Sequence, residues 1–194
     1  MDATTAVDTT TVAETSDVVE TTTTAPEPIA TYSLRASGSP IDGATPKGND
    51  QDGTLIIFNP NFSGVRDRTY AIEPSTGRLQ DTDTGRYVCA YYGYSRTTSF
   101  PAMVANCQNF STGVDKLYNY LTCKTVNGLL SCTAPRGFCV DDEETLETTC
   151  TTTTGIYDQF YYQYRSSGGD YWFISSASDS TAGFTSINVA ATKI

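Results

Sequence analysis

Six cysteines fall within one 62-residue window of this 194-residue chain, and no other feature of the sequence restricts the fold as strongly. The chain has no histidine and no Cys-x-x-Cys pair, and the cysteine spacings of 18, 16, 9, 7 and 11 are unlike those of zinc sites. An even number of cysteines predicts disulfides and an oxidising compartment, and the sequence leaves all fifteen pairings open. The cysteines are Cys89, Cys107, Cys123, Cys132, Cys139 and Cys150.

A hairpin around Asn127-Gly128 is the most tightly specified local structure. Cys123 alternates with polar neighbours before this pair, and Leu130 and Cys132 follow it. An Asn-Gly pair between two short β-runs favours a two-residue hairpin turn. The sequence therefore predicts an antiparallel hairpin with a cysteine on each arm.

Composition divides the chain near residue 28. Residues 1–28 hold ten threonines, six of the chain's 22 acidic residues and none of its 12 basic residues. This predicts a disordered, O-glycosylated, Thr-rich tail. The predicted domain, residues 29–194, keeps 16 acidic and 12 basic residues, a balance that argues against a nucleic-acid partner.

The domain reads as all-β, because no apolar period of 3.6 residues persists for a dozen residues. A unit of strand, glycine turn and strand recurs near residues 70–80, 120–132 and 160–174, whereas residues 93–116 look irregular. The recurrence slightly favours an antiparallel, β-trefoil-like barrel over a two-sheet sandwich. No apolar run is long enough to span a bilayer.

The sequence does not indicate an enzyme, since a chain without histidine lacks the usual general base and every Ser-His or Cys-His nucleophile. Asp81 and Asp83 are the best-placed carboxylates, about 7 Å apart if they alternate on a strand. A role in capping a turn is favoured over catalysis, and the acidic run 141–147 is interpreted as a solvated loop. We expect no cofactor and no metal, and a loose oxygen-lined cation site is the alternative, at Asp42, Asn49, Asp50 and Asp52.

Aromatic residues are the stronger candidates for binding, because the chain has 13 tyrosines and one tryptophan concentrated near glycine turns. A tyrosine offers a flat apolar ring and a polar hydroxyl, which suits stacking on a sugar or a protein partner. In a strand one member of each adjacent pair faces outward, and packing in a β core is the alternative. The predicted face comprises Tyr91, Tyr92, Tyr94, Tyr161, Tyr162, Tyr171 and Trp172.

Two acceptor sequons, Asn61-Phe-Ser63 and Asn109-Phe-Ser111, predict N-linked glycosylation on exposed loops. Together with the disulfides and the Thr-rich tail, they favour a secreted protein.

Three segments, YSLRASG from Tyr32, YAIEPSTGRL from Tyr70 and LTCKTVNGLLSC from Leu121, resemble recurring segments of secreted ascomycete cell-wall proteins. The resemblance implies fungal secretion and association with the wall or cell surface. The expected function is that of a non-enzymatic wall or surface protein whose partner is cell-wall polysaccharide or another surface glycan. The alternatives are an effector or inhibitor that binds an extracellular host or competitor protein, and a small carboxylate-dependent glycoside hydrolase.

Overall fold

The computed structural model describes Met1 and residues 28–38, 40–93, 95–97, 99–179 and 182–194. The predicted Thr-rich tail lies outside the described residues, apart from its two ends. The described residues form sixteen strands, which are β1 (Thr31–Ser37), β2 (Pro46–Gly48), β3 (Ile57–Phe58), β4 (Arg66–Asp67), β5 (Thr69–Ile72), β6 (Leu79–Asp81), β7 (Val88–Tyr91), β8 (Ala102–Asn106), β9 (Tyr118–Tyr120), β10 (Thr122–Val126), β11 (Leu129–Asp141), β12 (Thr148–Tyr157), β13 (Gln159–Arg165), β14 (Gly169–Ser175), β15 (Thr185–Ser186) and β16 (Asn188–Lys193).

The strands form two antiparallel sheets, which confirms the all-β prediction. The seven-stranded sheet has the order β10-β11-β16-β1-β5-β6, and β12 pairs with β11. The nine-stranded sheet has the order β4-β2-β3-β14-β8-β7-β9, with β13 paired to β14 and β15 paired to β13. The first and last strands of the domain are neighbours, because β1 pairs with β16 from Tyr32 opposite Lys193 to Ser37 opposite Asn188.

The predicted hairpin is confirmed as the pair β10 and β11, in which Cys123 lies opposite Cys132. Asn127 and Gly128 have φ angles of 51° and 76°. Positive φ at both central residues defines the turn whose twist matches that of the flanking strands. Asparagine and glycine adopt this left-handed conformation at the lowest cost, so the turn follows directly from the sequence.

The seven-stranded sheet curls into a half-barrel. Arg78, next to β6, forms an isolated bridge with Thr122 of β10, so the two edges meet at one point rather than along a ladder. The recurring units do not occupy equivalent positions, because the hairpins near 70–80 and 120–132 lie in this sheet and the hairpin near 160–174 lies in the other. Neither a closed barrel nor a trefoil is shown, and the preference for a trefoil-like barrel is not confirmed.

The expectation that residues 93–116 are irregular is wrong for β8, whose five residues are all buried. Ala102 and Val104 of β8 pack in the core between the sheets, whereas Met103 and Ala105 pack in clusters on the other face, so both faces of β8 are covered. Such a strand has no alternation of polar and apolar residues to reveal it.

The main core lies between the two sheets. Leu34 and Val189 of the seven-stranded sheet belong to the same buried cluster as Phe58, Phe160 and Trp172 of the nine-stranded sheet and its β13 extension. The Trp172 ring is 5.3 Å from Phe58 and 5.0 Å from Phe160, measured between ring centroids. Burial of each large apolar side chain contributes about 1.5–3 kcal/mol relative to exposure.

Three disulfides are present, which confirms the predicted pairing of all six cysteines. Two join neighbouring strands, and the third joins β7 to Cys107, the residue that follows β8. Cys89 pairs with Cys107, Cys123 with Cys132 and Cys139 with Cys150, at sequence separations of 18, 9 and 11. All six cysteines are therefore oxidised. Each bridge closes a short loop and typically contributes about 2–4 kcal/mol to the free energy of unfolding.

No helix that is long and apolar enough to cross a bilayer occurs in the part of the chain that the structure describes.

Candidate functional site

The nine-stranded sheet carries apolar side chains on both of its faces. Along β7, Ala90 belongs to the core between the sheets, whereas Cys89 and Tyr91 belong to a separate cluster. Along β14, Trp172 belongs to the core and Phe173 to a third cluster. Because successive residues of a strand point to opposite faces, the second and third clusters lie on the outer face of this sheet.

Three residues of the predicted aromatic face lie in the core instead. The exposed fractions of Tyr92, Tyr162 and Trp172 are 1%, 7% and 0%. The Tyr92 hydroxyl donates to the Pro135 carbonyl oxygen at 2.6 Å, so its polar end is satisfied inside the protein. The expectation that these side chains are exposed is wrong, because the alternation turns them toward the seven-stranded sheet. Tyr94 lies outside the described residues.

The other member of each predicted pair lies on the outer face. Tyr161 is buried and packs in the cluster of Phe173, whereas Tyr91 and Tyr171 are half-buried and border solvent. The Tyr91 ring stacks on Tyr118 with 4.8 Å between centroids and an interplanar angle of 27°. This packing fixes the orientation of Tyr91, and ligand binding by these residues stays a prediction.

Three further tyrosines of this face, Tyr87, Tyr118 and Tyr120, were missed by sequence reasoning. The rings of Tyr87 and Tyr120 meet edge to face with centroids 5.6 Å apart. Two sequence patterns could have revealed them. Tyr87 alternates with Cys89 and Tyr91, and Tyr118 alternates with Tyr120. We define the outer tyrosine face as Tyr87, Tyr91, Tyr118, Tyr120, Tyr161 and Tyr171.

Two arginines lie against rings of the outer tyrosine face. The guanidinium carbon of Arg78 is 3.7 Å from the centroid of Tyr120, and that of Arg165 is 5.3 Å from the centroid of Tyr171. These are cation–π distances, which hold each ring and place hydrogen-bond donors beside it. The face therefore combines flat apolar surface with fixed polar groups.

A cleft of about 190 Å³ opens at one end of the outer tyrosine face. Tyr87 and Tyr120 supply its aromatic lining, and Asn109 lines it as well. Arg86 donates from Nε to Oδ1 of Asp52 within the same cleft. The cleft thus offers aromatic surface, guanidinium donors and a carboxylate acceptor close together. A groove of about 770 Å³ lies elsewhere, but Tyr32 is the one aromatic residue among its lining residues.

The Tyr87 hydroxyl donates to Oε1 of Glu73 at 3.0 Å. Hydrogen bonds from Thr76 and then from Tyr87 lower the pKa of Glu73, and the bond to Glu73 raises the pKa of Tyr87. Burial raises the pKa of Tyr118 to about 12. The carboxylate is therefore ionised and the phenols neutral at neutral pH, so the tyrosines act as hydrogen-bond donors with fixed rings.

The structure supports the turn-capping interpretation of Asp81. Its Oδ1 accepts from the backbone N–H groups of Asp83 at 2.8 Å and Thr84 at 3.3 Å. Asp81 is 1% exposed and also faces Arg68, whereas Asp83 is exposed. A substrate therefore has no access to both carboxylates at once.

Of the carboxylates in the proposed oxygen-lined site, Asp42 accepts from the backbone N–H of Gly38 at 3.1 Å, and the other two face arginines. Asp50 accepts from Arg66 at 3.0 Å and from Arg68 at 2.6 Å, and Asp52 accepts from Arg86. Among the described residues, no group of three or more cysteine and acidic side chains is arranged to hold a metal ion.

Both sequon asparagines, Asn61 and Asn109, are exposed. Asn61 Nδ2 donates to the carbonyl oxygen of Ser166 at 2.9 Å, whereas Asn109 lines the cleft beside Tyr87 and Tyr120. Glycosylation of either residue stays a prediction.

No protein-family model, curated protein or solved structure matches this chain.

Proposed function

We propose that this chain is a secreted, non-enzymatic protein of a fungal wall or surface, and that it binds wall polysaccharide through the outer tyrosine face. The observation that carries the proposal is that one face of one sheet holds four half-buried tyrosines beside paired arginines and carboxylates. These tyrosines are Tyr87, Tyr91, Tyr120 and Tyr171. The three disulfides are consistent with an extracellular protein.

The chemistry of the face suits a neutral sugar. A pyranose ring presents apolar C–H groups on its faces and hydroxyls around its edge. Tyrosine rings match the faces, and the Arg86–Asp52 pair offers both donors and an acceptor for the hydroxyls. The rings are already held by Arg78 and Tyr118, so little side-chain freedom is lost on binding.

The test is co-sedimentation of the disulfide-intact protein with insoluble chitin, β-glucan and whole fungal walls. The protein is produced in a bacterial periplasm, where disulfides form and N-glycans of the fungal type are not attached. We expect saturable binding to at least one material. Tyr120→Ala and Tyr171→Ala each weaken it about tenfold, the effect of losing one good anchor residue.

Tyr164→Ala is the matched control, because Tyr164 lies on β13 but is 65% exposed and turned away from the outer tyrosine face. Its binding stays within twofold of the unmodified chain. Absence of saturable binding to every wall material, or equal losses in Tyr164→Ala and Tyr120→Ala, overturns the proposal. Thermal unfolding of each variant confirms that the losses are measured on folded protein.

A protein-binding effector or inhibitor is the second candidate, and one observation favours it. Phe110 and Leu146 are 100% and 84% exposed, and their φ angles are 69° and 59°. A left-handed backbone costs about 1–2 kcal/mol for a residue other than glycine, and here it displays apolar side chains to solvent. The test is a double variant that carries both Phe110→Ala and Leu146→Ala. If this variant is still retained in the wall fraction, the polysaccharide proposal is favoured. Loss of retention in this double variant alone favours a protein partner.

A further inference from the structure

Asn109 combines two properties, and the polysaccharide proposal does not use their combination. It is the acceptor asparagine of the Asn109-Phe-Ser111 sequon, and it lines the cleft formed by Tyr87 and Tyr120. A modification at its Nδ2 atom would therefore begin inside or beside that cleft. The cleft is next to the Cys89–Cys107 disulfide, which holds the start of the sequon loop against β7.

We propose that Asn109 carries an N-linked glycan and that the first N-acetylglucosamine of this glycan occupies the Tyr87–Tyr120 cleft. In the attachment reaction the anomeric carbon of the sugar leaves the lipid pyrophosphate of the donor and forms a bond to Asn109 Nδ2. The lipid pyrophosphate departs with the electron pair of the broken C–O bond, the amide nitrogen releases one proton to the surrounding water, and one N–H remains on Nδ2. The inference is independent of wall binding, because its readouts are attachment, enzymatic release and stability.

The cleft offers an aromatic surface beside the point of attachment. The cleft, about 190 Å³, is open to solvent and holds several water molecules, and two tyrosine rings line it. Displacement of water from tyrosine rings by the apolar sugar face and the acetyl methyl group is favourable.

Polar groups of the cleft match those of the sugar. The Arg86 and Asp52 side chains are 31% and 37% exposed, so each keeps hydrogen-bonding capacity toward the cleft beyond the bond between them. N-acetylglucosamine is uncharged, and the charges of Arg86 and Asp52 cancel. A neutral sugar can therefore bind here without leaving a net charge buried beneath it. A covalently attached sugar also has a high effective concentration, so even weak stacking suffices to seat it.

The second sequon provides an internal comparison. Asn61 is also exposed, but its Nδ2 donates to Ser166 on a loop rather than lining the tyrosine cleft. A glycan on Asn61 would therefore extend into solvent. The same molecule thus contains one glycan whose first sugar lies in the cleft and one that extends into solvent. The glycan on Asn61 therefore serves as the control for the glycan on Asn109.

The experiment uses the full chain secreted from a yeast host, together with Ser111→Ala, Ser63→Ala and Tyr120→Ala variants. Mass spectrometry of glycopeptides locates the glycans. An endoglycosidase then trims each glycan to one N-acetylglucosamine, and thermal unfolding is measured. We expect the trimmed chain to keep its Tm, and Ser111→Ala to lower Tm by about 2–4 °C, whereas Ser63→Ala leaves it unchanged within about 1 °C.

A second readout is the rate at which a peptide N-glycosidase removes each glycan from the folded protein. We expect release from Asn109 to be at least tenfold slower than release from Asn61, and Tyr120→Ala to abolish most of that difference. Ser111→Ala made in the bacterial periplasm is compared with the unmodified chain from the same source, which isolates any effect of the substitution itself.

Absence of a glycan on Asn109 overturns the inference. A glycan that is present, but released as fast as that on Asn61 and without effect on Tm, overturns it as well. The rate comparison needs only the unmodified chain, so the test stands even where Tyr120→Ala does not fold. In the glycosylated chain the sugar on Asn109 covers Tyr87 and Tyr120, so wall polysaccharide then contacts the part of the outer tyrosine face at Tyr91 and Tyr171. Wall binding is measured on the periplasmic protein, which carries no glycan, and the two proposals therefore fail separately.

Discussion

Arg68 Nη1 lies 3.7 Å from Asp81 Oδ2, and the side chains of both residues are 1% exposed. Two opposite charges thus face each other inside the protein. The carboxylate also caps a turn, and Arg68 Nη2 donates to the Gly48 carbonyl oxygen at 2.9 Å. Removal of the Asp81 charge leaves the buried Arg68 with the exposed Asp50 as its ion-pair partner, so the guanidinium is then compensated only in part.

We therefore expect Asp81→Asn to lower the free energy of unfolding by about 3 kcal/mol, the lower end of the cost of breaking a buried ion pair, as measured by urea denaturation. The amide oxygen of asparagine still accepts from the turn, so the loss reports mainly on the charge. Asp50→Asn is the matched control, because Asp50 also accepts from Arg68 but is solvent-exposed, and its loss is smaller. Equal losses in the two variants would contradict this account.

Removal of single disulfides gives a second prediction. Paired replacement of Cys89 and Cys107 by alanine is expected to cost about 3 kcal/mol, because this bridge closes the longest of the three loops, with a separation of 18 residues. The Cys123–Cys132 bridge closes a separation of nine residues, and its removal is expected to cost about 0.6 kcal/mol less. Urea denaturation of both double variants measures the order, and the reverse order contradicts the loop-entropy explanation.

Local features of the fold could be predicted from the sequence, and long-range pairing could not. The Asn127-Gly128 turn follows from the backbone preference of two adjacent residues. By contrast, β1 pairs with β16, which lies at the other end of the domain in sequence, and no local pattern predicts that pairing. Trefoil and sandwich differ mainly in such pairings, so the recurrence of hairpins could not separate them.

The sequence predicted only part of the candidate site, because long-range packing decides which face of a strand is the core. Alternation requires Tyr171 and Trp172 to face opposite sides, but it does not say which side is the core. The nine-stranded sheet is apolar on both faces, so composition gave no answer. Tyr120 joins the face only because β7 pairs with β9, and no local pattern predicts that pairing, whereas Tyr87 follows from its alternation with Cys89 and Tyr91.

The acidic hairpin end between β11 and β12 gives a pH-dependent prediction. Backbone N–H groups of Thr145 and Glu144 donate to Asp142 and hold its pKa below the ordinary value of 3.8. A carboxyl with a lowered folded-state pKa stabilises the fold above its unfolded-state pKa, and that stabilisation is lost as the pH falls through the folded-state pKa. We expect the Tm to fall less steeply below about pH 4 in Asp142→Asn than in the unmodified chain.

Thermal unfolding between pH 2 and pH 6 measures this difference. Glu143→Gln is the control, because it removes a charge from the same turn without removing the carboxylate that accepts these backbone bonds. An unchanged acid slope in Asp142→Asn contradicts the assignment of the acid loss to this turn.

Substitution of Trp172 and of Tyr171 distinguishes an effect on stability from an effect on binding. Trp172 is 0% exposed and contacts Phe58 and Phe160, so Trp172→Ala leaves a cavity and is expected to cost about 3–5 kcal/mol of the free energy of unfolding. Tyr171 borders solvent, and its replacement by alanine is expected to cost about 1 kcal/mol. Polysaccharide binding is expected to show the opposite order.

Binding of both variants is compared at a temperature where each is folded, with urea denaturation of the same samples as the stability measurement. Folded Trp172→Ala protein keeps its affinity for wall polysaccharide within about twofold, because its ring lies on the inner side of the sheet. Tyr171→Ala loses affinity while it keeps most of its stability. A Trp172→Ala protein that is as stable as the unmodified chain but no longer binds would place the ligand on the inner side, and the outer tyrosine face would no longer explain binding.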